Sequence, residues 1–373
     1  MRLWGTEMPK PLVTVLIDTY NHERFIEQSI ASVLEQDFPS AQTEVIVVDD
    51  GSSDRTPEIV RKFEPRVRLL QKSNGGQASA FNAGIPQAKG EFVAFLDGDD
   101  WWPPKKLSRV LEAFREEPAL GFVGHGIILT YLDGREMSHV LDEESSFRVR
   151  TPETARLFRL RKSFMGTSRM TVRADLLRQI LPVPEILTVE ADEYIFTIAA
   201  VVSDIKILAE PLLYYRIHER NGFQISSANP QGMRRKYEVL AALVQCLPGE
   251  LNARGADKET IEIVLEWLRT EADQIRLALG EGWSWETVTT EWKAYRIAHA
   301  EAPLSHQMFK VLSLLPALAL PPKFYYSARK RLAASTIYRD ARRRWLPVPE
   351  PSHLRNTWTN GASAAVRETN NKP

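Results

Sequence analysis

Cysteine is almost absent: Cys246 is the only one in 373 residues. No disulfide can close within the chain, and a reducing compartment is expected. Charge of one sign is lacking too, since 48 basic and 48 acidic residues cancel. No whole-molecule field argues for nucleic acid, and no nucleic-acid partner is expected. No apolar run reaches the ~18 residues of a membrane span, and the early segment MRLWGTEMPKPLVTVLI lacks the flanks of a signal peptide. Neither a G-x-G-x-x-G fingerprint nor a P-loop occurs, which disfavours dinucleotide redox chemistry and P-loop hydrolysis. Internal repeats are absent as well.

What is there is an ordinary globular balance, 43% hydrophobic and 26% charged, able to bury a core. The length suits one large domain with an appendage, or two domains. Residues 12–100 alternate strand and helix signals. LVTVLI (12–17) and EVIVVDD (44–50) are continuous β-branched runs, as in strands buried on both faces. RVRLLQK (66–72) and EFVAFLD (91–97) follow as third and fourth strands. Between them, 22–36 places Ile26, Ile30, Val33 and Leu34 on one helical stripe. Residues 55–63 read as a helix capped by Asp54, and 75–89 as a helix opened by glycines. Such alternation predicts an α/β domain with a mostly parallel sheet and right-handed crossovers. Beyond it, a hairpin with a tight primed turn is expected at Asp133-Gly134. A helix is expected at 151–161 with Thr151 as cap, a strand running into a helix at 167–180, and strand, bend, strand at 204–218. Helices over 234–248, 257–279 and 285–299 complete the pattern.

The polar clusters fall at the expected strand ends, where ligands of parallel sheets bind. DGDD (97–100) crowds Asp97, Asp99 and Asp100, so an opposite charge should balance them. Mg²⁺ or Mn²⁺ needs only one or two carboxylates plus substrate phosphates; the plainer reading is a solvated acidic turn. Asp49 and Asp50 end the second strand, where a carboxylate can accept from a base N–H or ribose hydroxyl. In KSNGGQ, glycines before a helix expose N–H groups that attract anions. In VEADEYIF, Glu190, Asp192 and Glu193 suit the first turn of a helix, or supply a general base. His218, after an aromatic strand, is a metal ligand, a phosphate contact or a structural histidine.

Taken in order, VTVLIDTYNHERFIEQSIASVLEQ, EVIVVDDGSSDRT, NGGQASAFNAGIPQAKGEFVAFLDGDDWWPPKKL, ADEYIF and YYRIH resemble a family 2 glycosyltransferase of the GT-A fold. The resemblance covers roughly residues 10–222. It implies a Rossmann-like, mixed but mostly parallel sheet flanked by helices, a nucleotide-sugar donor, a divalent metal, an acceptor hydroxyl and inversion at the anomeric carbon. By resemblance, Asp18, Thr19, Tyr20, Asp50, Asn74, Gly75, Gln77 and Asp97 border the nucleotide sugar. Asp99 leads the metal ligands, with His218 and Asp97 as further ones, and Asp192 is the catalytic base. The family often shows Glu-Asp where this chain has Ala191-Asp192, so Glu190 and Glu193 stay open as alternatives. Q-x-x-R-W, the mark of processive synthases, is absent, which implies single addition. A UDP-sugar donor and a saccharide or lipid-linked acceptor follow by analogy, with work in cell-surface polysaccharide, lipopolysaccharide or glycolipid synthesis. A nucleotidyltransferase and a non-catalytic nucleotide-sugar-binding module share parts of this pattern. The intact D-x-D and the carboxylate at Asp192 argue against the second.

The expected organisation is an N-terminal extension (1–10) and a catalytic domain (11–225), with a nucleotide half to about 118 and an acceptor half beyond. A helical region (226–345) and a disordered tail (346–373) follow. From Lys323 to Trp345 eight basic residues face one acid, interleaved with Phe324, Tyr325, Tyr326 and Tyr338. With VLSLLPALALPP before it, the segment 311–345 suits peripheral contact with an anionic membrane, or a helix packed with its basic face in water. The expected location is the cytoplasm, on or near the inner membrane face.

Overall fold

A computed structural model describes residues 11–139, 143–161, 165–218, 221, 230–298 and 303–334. The N-terminal extension, the tail after 346 and the part of the basic segment after 334 lie outside the described residues. The chain divides into two compact units, Met1–Phe223 with Ala242–Leu265 and Gln224–Ala241 with Glu266–Pro373.

In the first unit, the apolar runs form strands β1 (Val13–Thr19), β2 (Thr43–Asp49), β3 (Arg68–Gln71) and β4 (Phe92–Asp97). β1 pairs in parallel with β2 on one side and β4 on the other, and β2 pairs in parallel with β3. The chain winds outward from β1 to β3 and then returns to β4 on the opposite side of β1. That reversal opens a crevice beyond the carboxyl ends of β1 and β4. The sheet continues through β8 (Thr171–Arg173), β5 (Leu120–Tyr131), β9 (Asp204–Ile217) and β7 (Ser145–Phe147), with β6 (Glu136–His139) paired to β5. β7 was not anticipated; Ser-Ser-Phe is too short to carry a periodicity.

One face of β1, through Val13, Val15 and Ile17, packs on Ile26, Ile30 and Val33 of α1 (Ile26–Leu34) and on Leu107, Val110 and Phe114 of α4 (Lys106–Glu116). The opposite face meets α3 (Gln77–Gly84). A Cβ on Gly84 would stand 2.5 Å from Leu16 Cδ1, so the lack of a side chain sets how closely α3 approaches the sheet. Phe95 of β4 is fully buried there against Phe81 of α3, ring centroids 5.0 Å apart. α1 starts later than residue 22, because His22–Phe25 form a turn in which the Phe25 and Ile26 amides both donate to His22 O at 2.9 Å. α2 is Thr56–Arg61. Arg55, not Asp54, holds its N-cap position, while the Asp54 carboxylate accepts from the Thr56 amide (2.9 Å) and, across the loop, the Glu23 amide (3.1 Å).

The β5–β6 hairpin forms, but its turn is not primed. Only Gly134 has positive φ (+85°), Asp133 does not, and Tyr131 N donates to Arg135 O across a three-residue loop. Residues 204–218 give one bent strand rather than two. Its register to β5 slips between Leu208 and Pro211, where proline has no ladder donor. α5 (Pro152–Arg161), α6 (Ala174–Ile180) and α7 (Ala191–Val202) complete the layer.

The later chain is helical, with α8 (Pro230–Ala253), α9 (Lys258–Ala278) and α10 (Ser284–Ala298), then α11 (Leu304–Ser313), α12 (Leu315–Ala319) and α13 (Pro322–Ala334). Among the described residues, no helix is long and apolar enough to cross a membrane.

The central strands owe their place to packing. Phe95→Ala should lower unfolding free energy by about 3–5 kcal/mol, read from the urea midpoint, because neither β4 nor α3 can collapse into the void without parting Gly84 from Leu16. A loss under about 1 kcal/mol would contradict that packing.

Candidate active site

Register alone brings the first two acids together: Asp18 of β1 lies beside Asp97 of β4, at the strand ends flanking the crevice. Gly98 then turns the chain. Its N–H donates to Asp18 O at 2.8 Å, and a Cβ there would stand 2.5 Å from Thr19 Oγ1 and 2.9 Å from His22 Nδ1. The turn gathers Asp97, Asp99 and Asp100 so that one carboxylate oxygen from each lies within 4.8 Å of the others.

These carboxylates are not equivalent. Burial, reinforced by Asp99 and Asp192, pushes Asp18 up to about 7, against a hydrogen bond shared with Asp97. Its Oδ1 is buried with no hydrogen-bond partner. Burial and the neighbouring acids Asp18, Asp100 and Asp99 raise Asp97 well above its ordinary range, and burial with Asp99 does the same to Asp100. For Asp99, burial is outweighed by His22 and by the hydrogen bond and charge of His218, and its pKa is lowered. His218 Nε2 lies 2.9 Å from Asp99 Oδ2, and His22 Nε2 lies 3.8 Å from it. The ring of Phe25 rests on His218 at 4.8 Å.

The surrounding chain holds the acids in place. Ser168 Oγ donates to Asp100 Oδ2 (2.7 Å), accepts from the Asp97 amide (3.0 Å) and lies 3.3 Å from Asp97 Oδ2. Arg216 donates its amide to Asp100 Oδ1 (2.9 Å) and its Nε to Asp99 O (2.8 Å). Its guanidinium sits against the rings of Phe25 and Trp101. Trp101 stacks on Tyr214 at 5.0 Å and lines a small cavity of about 230 Å³ beside α1. Trp102 is a packing residue: it is buried, and its Nε1 donates to Ser168 O at 3.0 Å.

Asp192 occupies the first turn of α7. Gln77 ties that turn down: its Oε1 accepts from Ala191 N (2.9 Å) and its Nε2 donates to Thr167 Oγ1 (2.8 Å). Thr167 Oγ1 in turn donates to Asp192 Oδ2 at 3.1 Å. Burial raises the Asp192 pKa, against hydrogen bonds from the Glu193 amide and from Thr167. Its charge also acts on Asp18 and Asp97. Glu193, by contrast, accepts from Thr197 along its own helix, and Glu190 caps α7 in a left-handed conformation (φ 58°).

On the β2 side, the expectation for the glycines needs correction. The amides of Gly75 and Gly76 do face an anion, but it is the chain's own Asp50, at 3.0 and 2.7 Å, which Lys72 Nζ also meets at 2.7 Å. The amides of Gln77 and Ala78 donate to Thr188 O and Leu187 O. The start of α3 is therefore an internal clasp, not a phosphate cradle. Gln77 likewise spends its side-chain amide on Thr167 and α7. Tyr20 (46% exposed) and Asn74 remain at the surface, while Thr19 is buried with its hydroxyl 3.2 Å from His22 Nδ1.

Sequence reasoning missed three contributors. His22 could have been found, since it stands four residues after Asp18 in DTYNH. Ser168 gave no signal, and Arg216, two residues before His218 in YYRIH, is shown only by folding to meet the acids. For a divalent cation the fit is good: three hard oxygen donors converge, and Asp18 adds an unpartnered oxygen. His218 is joined to Asp99 within the same cluster.

A nine-stranded sheet with this strand reversal, acids at the crevice and a carboxylate on a facing helix defines an α/β protein of the GT-A class. Residues 14–181 match the family model "Glycosyl transferase family 2". It is 34% identical over 218 residues to an uncharacterized glycosyltransferase of Nostoc sp., covering 56% of this chain and 66% of that protein. It is 29% identical over 285 residues to the poly(ribitol-phosphate) beta-N-acetylglucosaminyltransferase TarS of Staphylococcus aureus, covering 73% of this chain and 47% of TarS. The chain thus spans about half the length of the staphylococcal relative. In structure it resembles the mannosyltransferase PcManGT of Pyrobaculum calidifontis in complex with GDP-Man and Mn²⁺. The TM-score is 0.50 at 21% identity, over 92% of this chain and 91% of that one.

The acid cluster sets a pH dependence of stability. Asp18 binds its proton more tightly folded (about 7) than unfolded (3.8), so its contribution is full below the lower value and is lost as pH rises through the upper. In chelator, the unfolding temperature should therefore fall from about pH 4 to about pH 7. Asp18→Asn should flatten that fall, and an unchanged slope in the variant would contradict the assignment.

Proposed function

We propose that this chain transfers a sugar from a nucleoside diphosphate sugar to an acceptor hydroxyl, with inversion at the anomeric carbon. The observation that carries the reading is the convergence of Asp18, Asp97, Asp99, Asp100 and His218 at one crevice, within electrostatic reach of Asp192. A cluster this rich in carboxylate suits a cation and a diphosphate better than any neutral ligand. Mg²⁺ or Mn²⁺, held by Asp97, Asp99 and Asp100, would supply the positive charge that stabilises a leaving diphosphate.

The chain's own residues account for the rest. Asp99, kept anionic beside His218 and His22, is the principal metal ligand. Arg216 and Ser168 hold the turn that aims the carboxylates. Asp18, Thr19, Tyr20 and Asn74 border the nucleotide, and Asp50 shapes that border by clasping Gly75 and Gly76. Asp192 takes the proton of the acceptor hydroxyl as its oxygen bonds to the anomeric carbon and the bond to the diphosphate breaks. Attack opposite the leaving group inverts the centre. Burial moves the Asp192 pKa toward the working pH of a general base, which favours it over Glu190 and Glu193.

The names of relatives support a nucleotide-sugar donor. TarS has been crystallised with UDP-GlcNAc (TM-score 0.50, 17% identity) and PcManGT with GDP-Man. A UDP-sugar is our reading of the donor, and a saccharide or lipid-linked hydroxyl of the acceptor, in the synthesis of surface polysaccharide. Work in the cytoplasm, where nucleotide sugars form, belongs to the same reading.

With Mn²⁺ and a panel of nucleotide sugars, wild-type protein should release nucleoside diphosphate and form a glycoside of opposite anomeric configuration. Asp99→Asn should abolish transfer while the fold persists by circular dichroism. Asp192→Asn should lower kcat by about 10²–10⁴ with donor affinity little changed. Release of pyrophosphate instead of nucleoside diphosphate, or full activity in Asp99→Asn, would overturn the proposal.

A further inference from the structure

The second unit carries an exposed apolar surface on its last three helices. α11, α12 and α13 pack inward through a few side chains, chiefly His306, Leu314, Ala317 and Tyr325. Outward, Leu304, Met308, Leu312, Leu315, Leu318 and Phe324 are each more than half exposed, from 55% at Leu315 to 72% at Leu304. Single exposed leucines are ordinary on a protein surface, but a run across three successive helices is a candidate interaction surface.

Charge shows what would cover it. Pro303–Ala334 holds five basic residues and no acid, and through Trp345 the count is nine basic to one acid, in a chain of net charge zero. Lys310 and Arg329 turn inward to Glu291, a buried carboxylate that also accepts from Gln274 Nε2 at 2.9 Å. That buried anion ties α11 and α13 to α10. Lys323 and Arg331 stay exposed on the same helices as the apolar side chains. A second copy laid face to face would set like charges against one another. An anionic lipid surface offers the complement to both features, acyl chains for the leucines and phosphates for the cations.

We propose that α11–α13 dock on an anionic phospholipid bilayer, lying in the interface without crossing it. Each Lys or Arg near such a surface adds roughly 1 kcal/mol, about a fivefold change in partition, so the exposed cations should govern lipid selectivity. The apolar side chains should govern depth and overall affinity.

The test is co-sedimentation of the full chain with phosphatidylcholine vesicles, with and without phosphatidylglycerol. Wild-type protein should bind the phosphatidylglycerol vesicles at least about tenfold better, and added salt should weaken that binding. Lys323→Glu with Arg331→Glu should remove the preference, and Leu312→Ser with Leu315→Ser should reduce binding to both vesicles. The charge variant alters only exposed side chains, so it carries the test if the serine variant fails to fold. The proposal is overturned by absence of binding to anionic vesicles, by equal binding to both lipids, or by binding that both variants leave unchanged. It is also overturned if sedimentation velocity shows a dimer that Leu312→Ser with Leu315→Ser dissociates, since a second copy then covers the face. Lipid binding is read without any sugar, so its outcome is independent of the transfer reaction.

Discussion

Mutual repulsion among carboxylates is the constraint around which the first unit is organised. Asp18, Asp97, Asp99 and Asp100 meet where two parallel strands end, Asp99 and Asp100 buried and Asp18 and Asp97 partly so. The chain answers with a few well-placed groups rather than a matching set of cations. His218 and His22 attend to Asp99, Ser168 bridges Asp97 and Asp100, and Arg216 contributes an amide and a guanidinium from β9. The remaining charge stays uncompensated, seen in the raised pKa values of Asp18, Asp97 and Asp100. Such a site stores a preference for a cation at the expense of stability without one.

The layer behind the site keeps the geometry stiff. Lys106 is buried, its Nζ 3.0 Å from Thr171 Oγ1 and 3.7 Å from the centre of the Trp102 ring, and burial drives its pKa far down. Trp102 reaches Ser168 O, and Ser168 reaches the acids. The line from Lys106 to Asp100 therefore runs through rigid aromatic and backbone groups. WWPPKKL is the floor of the acid cluster at Trp102 and Lys106, and Trp101, stacked between Tyr214 and Arg216, anchors β9 to it.

Much of this was legible beforehand. The β-branched runs, the stripe through Ile26, Ile30 and Val33, and the acids at strand ends rest on local periodicity, which does not depend on remote partners. The glycines of KSNGGQ were read correctly as exposing amides and wrongly as facing an external anion, because nothing local tells that Asp50 is the anion they meet. The bend in β9 was visible at Pro211, but its continuity as one strand depends on pairing with β5.

The sequence by itself determined the order of strands and helices, the acids that cap them and the basic, acid-free stretch that forms α11–α13. Each follows from spacing between near neighbours. Only the tertiary structure decided which acid does what. Asp99 differs from Asp97 because His218, 119 residues away, reaches it. Asp192 differs from Glu193 because Thr167 and Gln77 hold the turn that carries it. Contacts of such separation leave no periodic trace, since they arise only when β1, β4, β9 and α7 are brought to one crevice.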